Sequence, residues 1–149
     1  MNVKSSIVID RPIEQVWAYL DDQAHELEWR SPSLRRLHQV GNGPIGVGTR
    51  YEGVIAMGRR EYPYVNELTL YEPPTRVSWK AISSAGWVVG SSGSYILEPD
   101  GGRTRLTHEI DMEPNKAAGR VVMPLLGAVG WRGVMPILVK LKSALEKAR

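Results

Sequence analysis

Residues 121–139, VVMPLLGAVGWRGVMPILV, are the stretch on which the architecture turns. They carry one charge, Arg132, and run into LKSALEKA near the end of the chain. From Val134 onward, Ile137, Leu138, Leu141 and Leu145 recur at spacings of three and four. Residues so spaced share one face of a helix, which leaves Lys140, Lys142, Glu146 and Lys147 largely on the other. The apolar face requires a partner surface. A helix running from Lys116 to Ala148 would be roughly 50 Å long, about the width of a domain. A proline inside a helix removes a backbone hydrogen bond at a cost of about 3 kcal/mol, so Pro124 and Pro136 mark a helix start, a kink or a split. Gly127, Gly130 and Gly133 lie between them, and a bent helix lacking those side chains would leave space beneath it.

The competing reading of these nineteen residues is a membrane span flanked by Arg120 and Lys140. Arg132 sits near the centre, where insertion would cost about 2.5–3.5 kcal/mol, and the glycines weaken a span further. A long helix covering a sheet fits the rest of the chain better, so no membrane span is expected.

Composition narrows the class. The 149 residues, 42% hydrophobic and 23% charged, suit one globular domain over 1–149 and exclude disorder or a fibrous fold. A net charge of +3 is too small to indicate nucleic acid without a concentrated patch. The doublets Arg35-Arg36 and Arg59-Arg60 fall in different segments and read as solvated surface. The absence of cysteine excludes disulfides, thiolate metal sites and a cysteine nucleophile, and agrees with a cytoplasmic location. The N-terminal MNVKSSIVIDRP has no apolar core of the kind that signals secretion. Phenylalanine is absent, and the aromatic content is five Trp and six Tyr, side chains with apolar bodies and polar tips that suit a wet cavity as well as a dry core.

Upstream, Val3–Ile9 reads as a first strand. Asp10-Arg11-Pro12 opens a helix with Ile13, Val16, Trp17 and Leu20 on one side, and a second short helix is expected from Gln23 to Trp29, ended by the Pro32 restriction. Strands are expected at 33–40, 49–57, 60–71, 75–83, 87–98 and 103–113, separated by turn-forming residues such as Glu72-Pro73-Pro74 and Pro99-Asp100-Gly101-Gly102. Short links between successive strands imply an antiparallel meander, so the class is α+β. Gly41, Gly43 and Gly46 spell GxGxxG, but a dinucleotide site needs a helix next, and TRYEGVIAM alternates like a strand. Serines 91, 92 and 94 miss the nucleophile-elbow spacing. His25, His38 and His108 belong to different elements, no metal signature appears, and no inward pair of carboxylates is conspicuous.

Alternation along each strand nominates inward side chains. His108 shares a face with Leu106, Ile110 and Met112, leaving Arg105, Thr107, Glu109 and Asp111 outward. Tyr62, Tyr64, Asn66, Leu68 and Leu70 alternate on one side of their strand, polar tips beside leucines as in a concave site with a few polar anchors. Val77, Trp79 and Ala81 line the next strand, and Trp87, Val89, Ser91, Tyr95 and Leu97 the one after. Trp131 is the natural aromatic of the long helix to face them.

The ordered set SIVIDRPIEQVWAYLDD, GPIGVGTRYEG, LYEPPTRVSWKA, SYILEPDGGRTRLTHEID and LKSALEKA resembles the polyketide cyclase/dehydrase-like branch of the START-related, Bet v 1-like (SRPBCC) superfamily over nearly the whole chain. The resemblance implies the helix-grip fold: a curved seven-stranded antiparallel sheet around a long C-terminal helix, with two short helices after the first strand. It implies a cavity between sheet and helix for a small hydrophobic ligand such as a lipid, isoprenoid or polyketide-like molecule, carried without metal or nucleotide cofactor. The alternative it implies is a polyketide cyclase/aromatase performing aldol cyclisation and dehydration there, with His108 as acid or base and Tyr62, Tyr64 and Asn66 as donors to carbonyl oxygens. It places Trp29 at the pocket mouth. The ligand set is then Trp29, Tyr62, Tyr64, Asn66, Trp79, Trp87, Tyr95, His108, Trp131 and Arg132. The family's cyclases use arginine and tyrosine inside the pocket, and Arg132 is the one arginine expected to point inward here.

Overall fold

Seven strands pair antiparallel in a single sheet. The computed structural model describes residues 2–30, 34–84, 91–111 and 136–147. Trp87, Trp131, Arg132, Pro124 and the glycines of 121–139 therefore lie outside the described residues. In chain order the elements are β1 (Asn2–Ile9), α1 (Ile13–Leu20), a 3₁₀ turn (Gln23–His25), α2 (Glu26–Arg30), β2 (Leu34–Gln39), β3 (Arg50–Met57), β4 (Arg60–Glu72), β5 (Arg76–Ser84), β6 (Ser92–Asp100) and β7 (Arg103–Asp111). Residues 136–147 are helical.

From β2 to β7 each strand pairs with its successor, as tight links require. The β6–β7 turn shows why. Asp100 pairs with Arg103, leaving Gly101 and Gly102 at φ +57° and +88°, a two-residue connection whose left-handed backbone matches the twist of the strands. The last strand then returns beside the first, with Asn2 opposite Asp111 and Ile9 opposite Thr104.

Three irregularities re-aim side chains. In β2 the register shifts between Leu34 and Arg36, so Leu34 and Leu37, three apart, are both buried. In β5 the pairing steps from Ser83 to Ala81 against consecutive β4 residues, and the extra residue, Ile82, is exposed. In β4 Leu68 pairs with Trp79 but Leu70 with Ser78, so Thr69 is an inserted residue. Strict alternation puts Leu70 beside Leu68, but the insertion turns Leu70 to the outer face, where it borders an open groove with Ser78 and Ser94. Tyr71 faces inward instead, its ring 5.7 Å from Trp17 and its hydroxyl donating to Asp21.

The inner face meets both helical ends. Ile9, Leu68, Val77, Leu97 and Leu106 from the sheet pack with Val16, Trp17 and Leu20 of α1 and with Leu138, Leu141 and Leu145. Each such side chain contributes about 1.5–3 kcal/mol by leaving water. The second helix expected from Gln23 to Trp29 is divided: a 3₁₀ turn closes through His25 N–H donating to the Asp22 carbonyl at 3.1 Å, and α2 then continues to Arg30. No described helix is long and apolar enough to cross a membrane.

Polar contacts hold the terminal helix to the end of β1. Lys142 Nζ donates to the Val8 carbonyl at 2.8 Å and to Glu146 Oε1 at 2.6 Å. Glu146 Oε1 also accepts from the Asp10 N–H at 2.9 Å, and its carbonyl accepts from the Arg11 guanidinium. These donors, Lys142 first, hold the Glu146 carboxyl below its ordinary range. A depressed carboxyl stabilises the fold above its unfolded value and ceases to do so as pH falls through the folded one. Glu146→Gln is therefore expected to lower the melting temperature at pH 7 by about 2 °C, as for an exposed pair. The gap to wild type should close below pH 4 in thermal melts. A gap that persists unchanged at pH 3 removes the carboxylate from this account.

Candidate functional site

Tyr95 is the centre of a ring cluster on the inner face. It lies opposite His108 on β7 and opposite Val77 on β5. Its ring centroid is 4.8 Å from His108, 4.9 Å from Trp79 and 6.5 Å from Trp29, and Trp79 is 6.0 Å from His108. Strand alternation accounts for three of these rings, since residues two apart share a face. Trp29 arrives from α2.

The same short helix brings the charges. Glu26 and Arg30 are one turn apart, with Arg30 Nη1 donating to Glu26 Oε2 at 2.6 Å, the favourable order for an i,i+4 pair. The other carboxylate oxygen accepts from the Tyr95 hydroxyl at 3.2 Å. Glu26 is 5% exposed, Trp29 2%, Tyr95 1% and His108 7%, while the Arg30 side chain is 28% exposed, so the carboxylate and the rings are dehydrated and the guanidinium sits at their edge. A guanidinium carries five N–H donors, more than one carboxylate oxygen can use.

Burial decides the protonation states. It pushes the Tyr95 hydroxyl well above its ordinary range, helped by the Glu26 carboxylate, and raises Tyr64 to about 12 from the same causes. Both phenols are neutral donors near neutral pH. For Arg30 burial opposes the charge, but the Glu26 carboxylate more than offsets it and the guanidinium stays protonated. His108 is lowered to about 3, by burial first and by the Arg30 charge second, so its imidazole is neutral. The set is thus charge-balanced.

Among the described residues, five buried side-chain polar atoms have no hydrogen-bond partner: Gln23 Nε2, Tyr51 Oη and, at the ring cluster, Ser5 Oγ, Trp29 Nε1 and His108 Nδ1. Ser5 and His108 are opposite one another in the β1–β7 register. A buried polar atom left unpaired costs about 1–3 kcal/mol, so three such atoms around one ring cluster are what a site awaiting a polar group looks like.

The expected ligand residues are therefore distributed as follows. Trp29, Trp79, Tyr95 and His108 come together, and Trp29 lies among buried rings rather than at a rim. Tyr64 is close enough for Glu26 and Arg30 to act on its hydroxyl. Asn66 and Tyr62 are half-buried at register positions opposite Tyr51 and Ile55, two steps either side of Tyr64. Trp87, Trp131 and Arg132 fall outside the described residues. Glu26 and Arg30 were not among the sequence candidates, and Arg30 corrects the expectation that Arg132 alone would point inward. The available signal was the spacing in ELEWR: Glu26 and Trp29 at i,i+3, and Glu26 and Arg30 at i,i+4, put all three on neighbouring positions of one helix surface. An open groove of about 380 Å³ on the outer face is bordered by Ser78, Ser92, Ser94, Arg76 and Glu109, and also by Trp79 and Gly93, which reach it from the strands beneath. It has none of the ring cluster's unpartnered buried atoms.

The comparisons with known proteins agree with this architecture. The family model described as polyketide cyclase/dehydrase and lipid transport matches residues 1–146. A crystal structure of a protein from Thermus thermophilus superposes with a TM-score of 0.81 at 18% identity, covering 99% of both chains. The Zhui aromatase/cyclase from Streptomyces sp. R1128 gives 0.76 at 15% identity, covering 99% of this chain and 94% of that one. Ara h 8.0201 gives 0.71 at 12% identity over 97% of each. A comparison with curated protein sequences finds no match. At these identities the structural likeness establishes the fold, which is the Bet v 1-like helix grip: a curled seven-stranded antiparallel sheet with a C-terminal helix.

Proposed function

The chain belongs to the polyketide cyclase/dehydrase and lipid transport family, and from that premise we propose that it binds and carries a small hydrophobic ligand, a lipid, isoprenoid or polyketide-like molecule, on the inner face of its sheet. The observation that carries this reading is the dehydrated polar set with its unpartnered atoms at Ser5, Trp29 and His108. The ligand's apolar body lies against Trp79, Tyr95 and His108. Its affinity comes from area removed from water, at roughly 25 cal/mol per Å². An oxygen on the ligand accepts from the Trp29 indole N–H or the Arg30 guanidinium. Because Glu26 and Arg30 cancel and His108 is neutral, the site favours an uncharged polar group over a free carboxylate or phosphate, whose desolvation nothing here would offset.

Arg30 supports a second reading, cyclase chemistry in the same place. A guanidinium with the Tyr64 phenol is a set of donors suited to ketone oxygens, the Tyr95 proton being engaged by Glu26, and His108 Nδ1 is a proton acceptor beside them. The weakness of this reading is the imidazole's basicity. A general base works best with a pKa near the operating pH, and a value of about 3 makes His108 a poor one. Carriage is therefore the preferred function.

Native mass spectrometry of protein purified from its own source is expected to show a bound neutral apolar molecule. With that molecule identified, His108→Ala is expected to change its affinity by less than about tenfold, or 1.4 kcal/mol. Turnover of a poly-β-ketone substrate that falls by about 10² or more in the same variant would establish the cyclase reading in its place.

A further inference from the structure

Two glycines on the inner face have no conformational reason to be glycine. Gly53 lies in the middle of β3 and Gly93 is the second residue of β6, and neither has a positive φ. Gly53 is opposite Tyr64, and Gly93 is opposite Trp79. A Cβ built on Gly93 would sit 2.5 Å from Trp79 Cζ2, 2.7 Å from Cε2 and 3.0 Å from Nε1. One built on Gly53 would sit 2.5 Å from both Cζ and Oη of Tyr64. The loop glycines Gly41, Gly43, Gly46, Gly48, Gly58, Gly101 and Gly102 would meet nothing within 4 Å. The strand glycines are thus places where a neighbour's ring rests directly on the backbone.

Each ring so seated belongs to the candidate site. The Trp79 indole is within 4.9 Å of the Tyr95 ring and 6.0 Å of His108, and the Tyr64 hydroxyl lies under the influence of Glu26 and Arg30. Carbon atoms pack at about 3.5–4.0 Å, so a methyl group at either glycine would lift the overlying ring by about 1 Å. Backbone lies beneath the ring and the ring cluster beside it. A ring lifted off its glycine moves away from the sheet, toward where the ligand is proposed to lie.

Resting on the reading of this face as a ligand site, we propose that Gly53 and Gly93 are specificity-determining positions: they lay Tyr64 and Trp79 flat against the sheet and so set the thickness of ligand the protein accepts. The ligand that profits is one whose joined rings are twisted out of a common plane. A flat fused ring system is thinner and is indifferent to the seats.

The test compares two neutral aromatic probes, N-phenyl-1-naphthylamine and the smaller 2-naphthol, by fluorescence titration of wild type, Gly93→Ala and Gly93→Ala/Trp79→Phe, each checked for folding by circular dichroism. Gly93→Ala is expected to weaken the larger probe about tenfold while leaving the smaller within about twofold. Trp79→Phe, which shortens the ring over position 93, is expected to restore the larger probe's affinity in the Gly93→Ala background. Equal losses for both probes, no loss for either, or failure of the double variant to restore binding each overturns the proposal. Where Gly93→Ala does not fold, Trp79→Phe in the native background carries the test: the affinity ratio of larger to smaller probe should rise, and an unchanged ratio overturns the idea. Wild-type protein that takes up neither probe overturns the ligand-binding reading and the glycine seats with it. Binding of both probes with a ratio insensitive to these substitutions overturns the seats alone.

Discussion

Arg30→Met is expected to destabilise the protein by about 3 kcal/mol, because it strands the Glu26 carboxylate in a dehydrated site. Methionine replaces the aliphatic length of arginine but none of its donors, so Glu26, 5% exposed, would keep the Tyr95 hydroxyl at 3.2 Å and lose the guanidinium at 2.6 Å. Domains of this size are stable by only about 5–15 kcal/mol. The change should appear as a drop in melting temperature of roughly 10 °C. Removing the orphaned charge as well, in Arg30→Met/Glu26→Gln, is expected to recover most of the loss, since it is the uncompensated charge that is costly. Thermal melts of wild type and the two variants decide the matter. If Arg30→Met melts within about 2 °C of wild type, or the double variant is no better than the single, the pair is a surface ornament and the dehydrated set described above does not exist.

The second large effect is acid sensitivity traceable to His108. Its folded pKa of about 3 lies below the ordinary value near 6.5. Above pH 6.5 the imidazole is neutral in both states and pH has no effect through it. Below 6.5 the unfolded chain binds a proton that the folded protein refuses until about pH 3, so stability is lost as pH falls through this window. At one pKa unit per 1.36 kcal/mol the loss through this group alone reaches roughly 3 kcal/mol by pH 4. Urea unfolding at pH 7.5 and pH 4.0 measures it against His108→Gln, which cannot take the proton. The variant's stability should fall by about 3 kcal/mol less than wild type over this interval, whatever its absolute stability. Equal falls would mean that the imidazole protonates in place. Because Arg30 is the second cause of the shift, Arg30→Met should also raise the His108 pKa, a change visible in the imidazole proton resonances on titration.

These two predictions fall on one residue that the strand pattern nominates and one that it does not. His108 was legible because period-2 alternation is local: Leu106 and Ile110 on the same strand declare the face, and His108 lies between them. Tyr64, Trp79 and Tyr95 follow by the same rule. The rule breaks wherever one residue is inserted. It puts Leu70 on the inner face, and Thr69 reverses that by a bulge whose cause is pairing with β5, another part of the chain. Nothing between Arg60 and Glu72 announces it. Arg30 was hidden for a different reason. Five residues make little more than one helical turn, and Glu26, Trp29 and Arg30 can be seen to share a surface without any indication of what that surface meets.

By itself, then, the order of residues determined which segments are strands and helices, the antiparallel meander from β2 to β7, and the inward face of most strands, since these depend on spacing along a contiguous stretch. The tertiary structure alone decided that α2 lies against Tyr95, that Gly53 and Gly93 seat the rings of neighbouring strands, and that the carboxylate of an ordinary i,i+4 ion pair becomes dehydrated. The physical reason is that burial belongs to a place in the folded molecule. A glutamate in ELEWR is a solvated side chain until residues 69 and 82 positions further along the chain, Tyr95 and His108, arrive to take its water away.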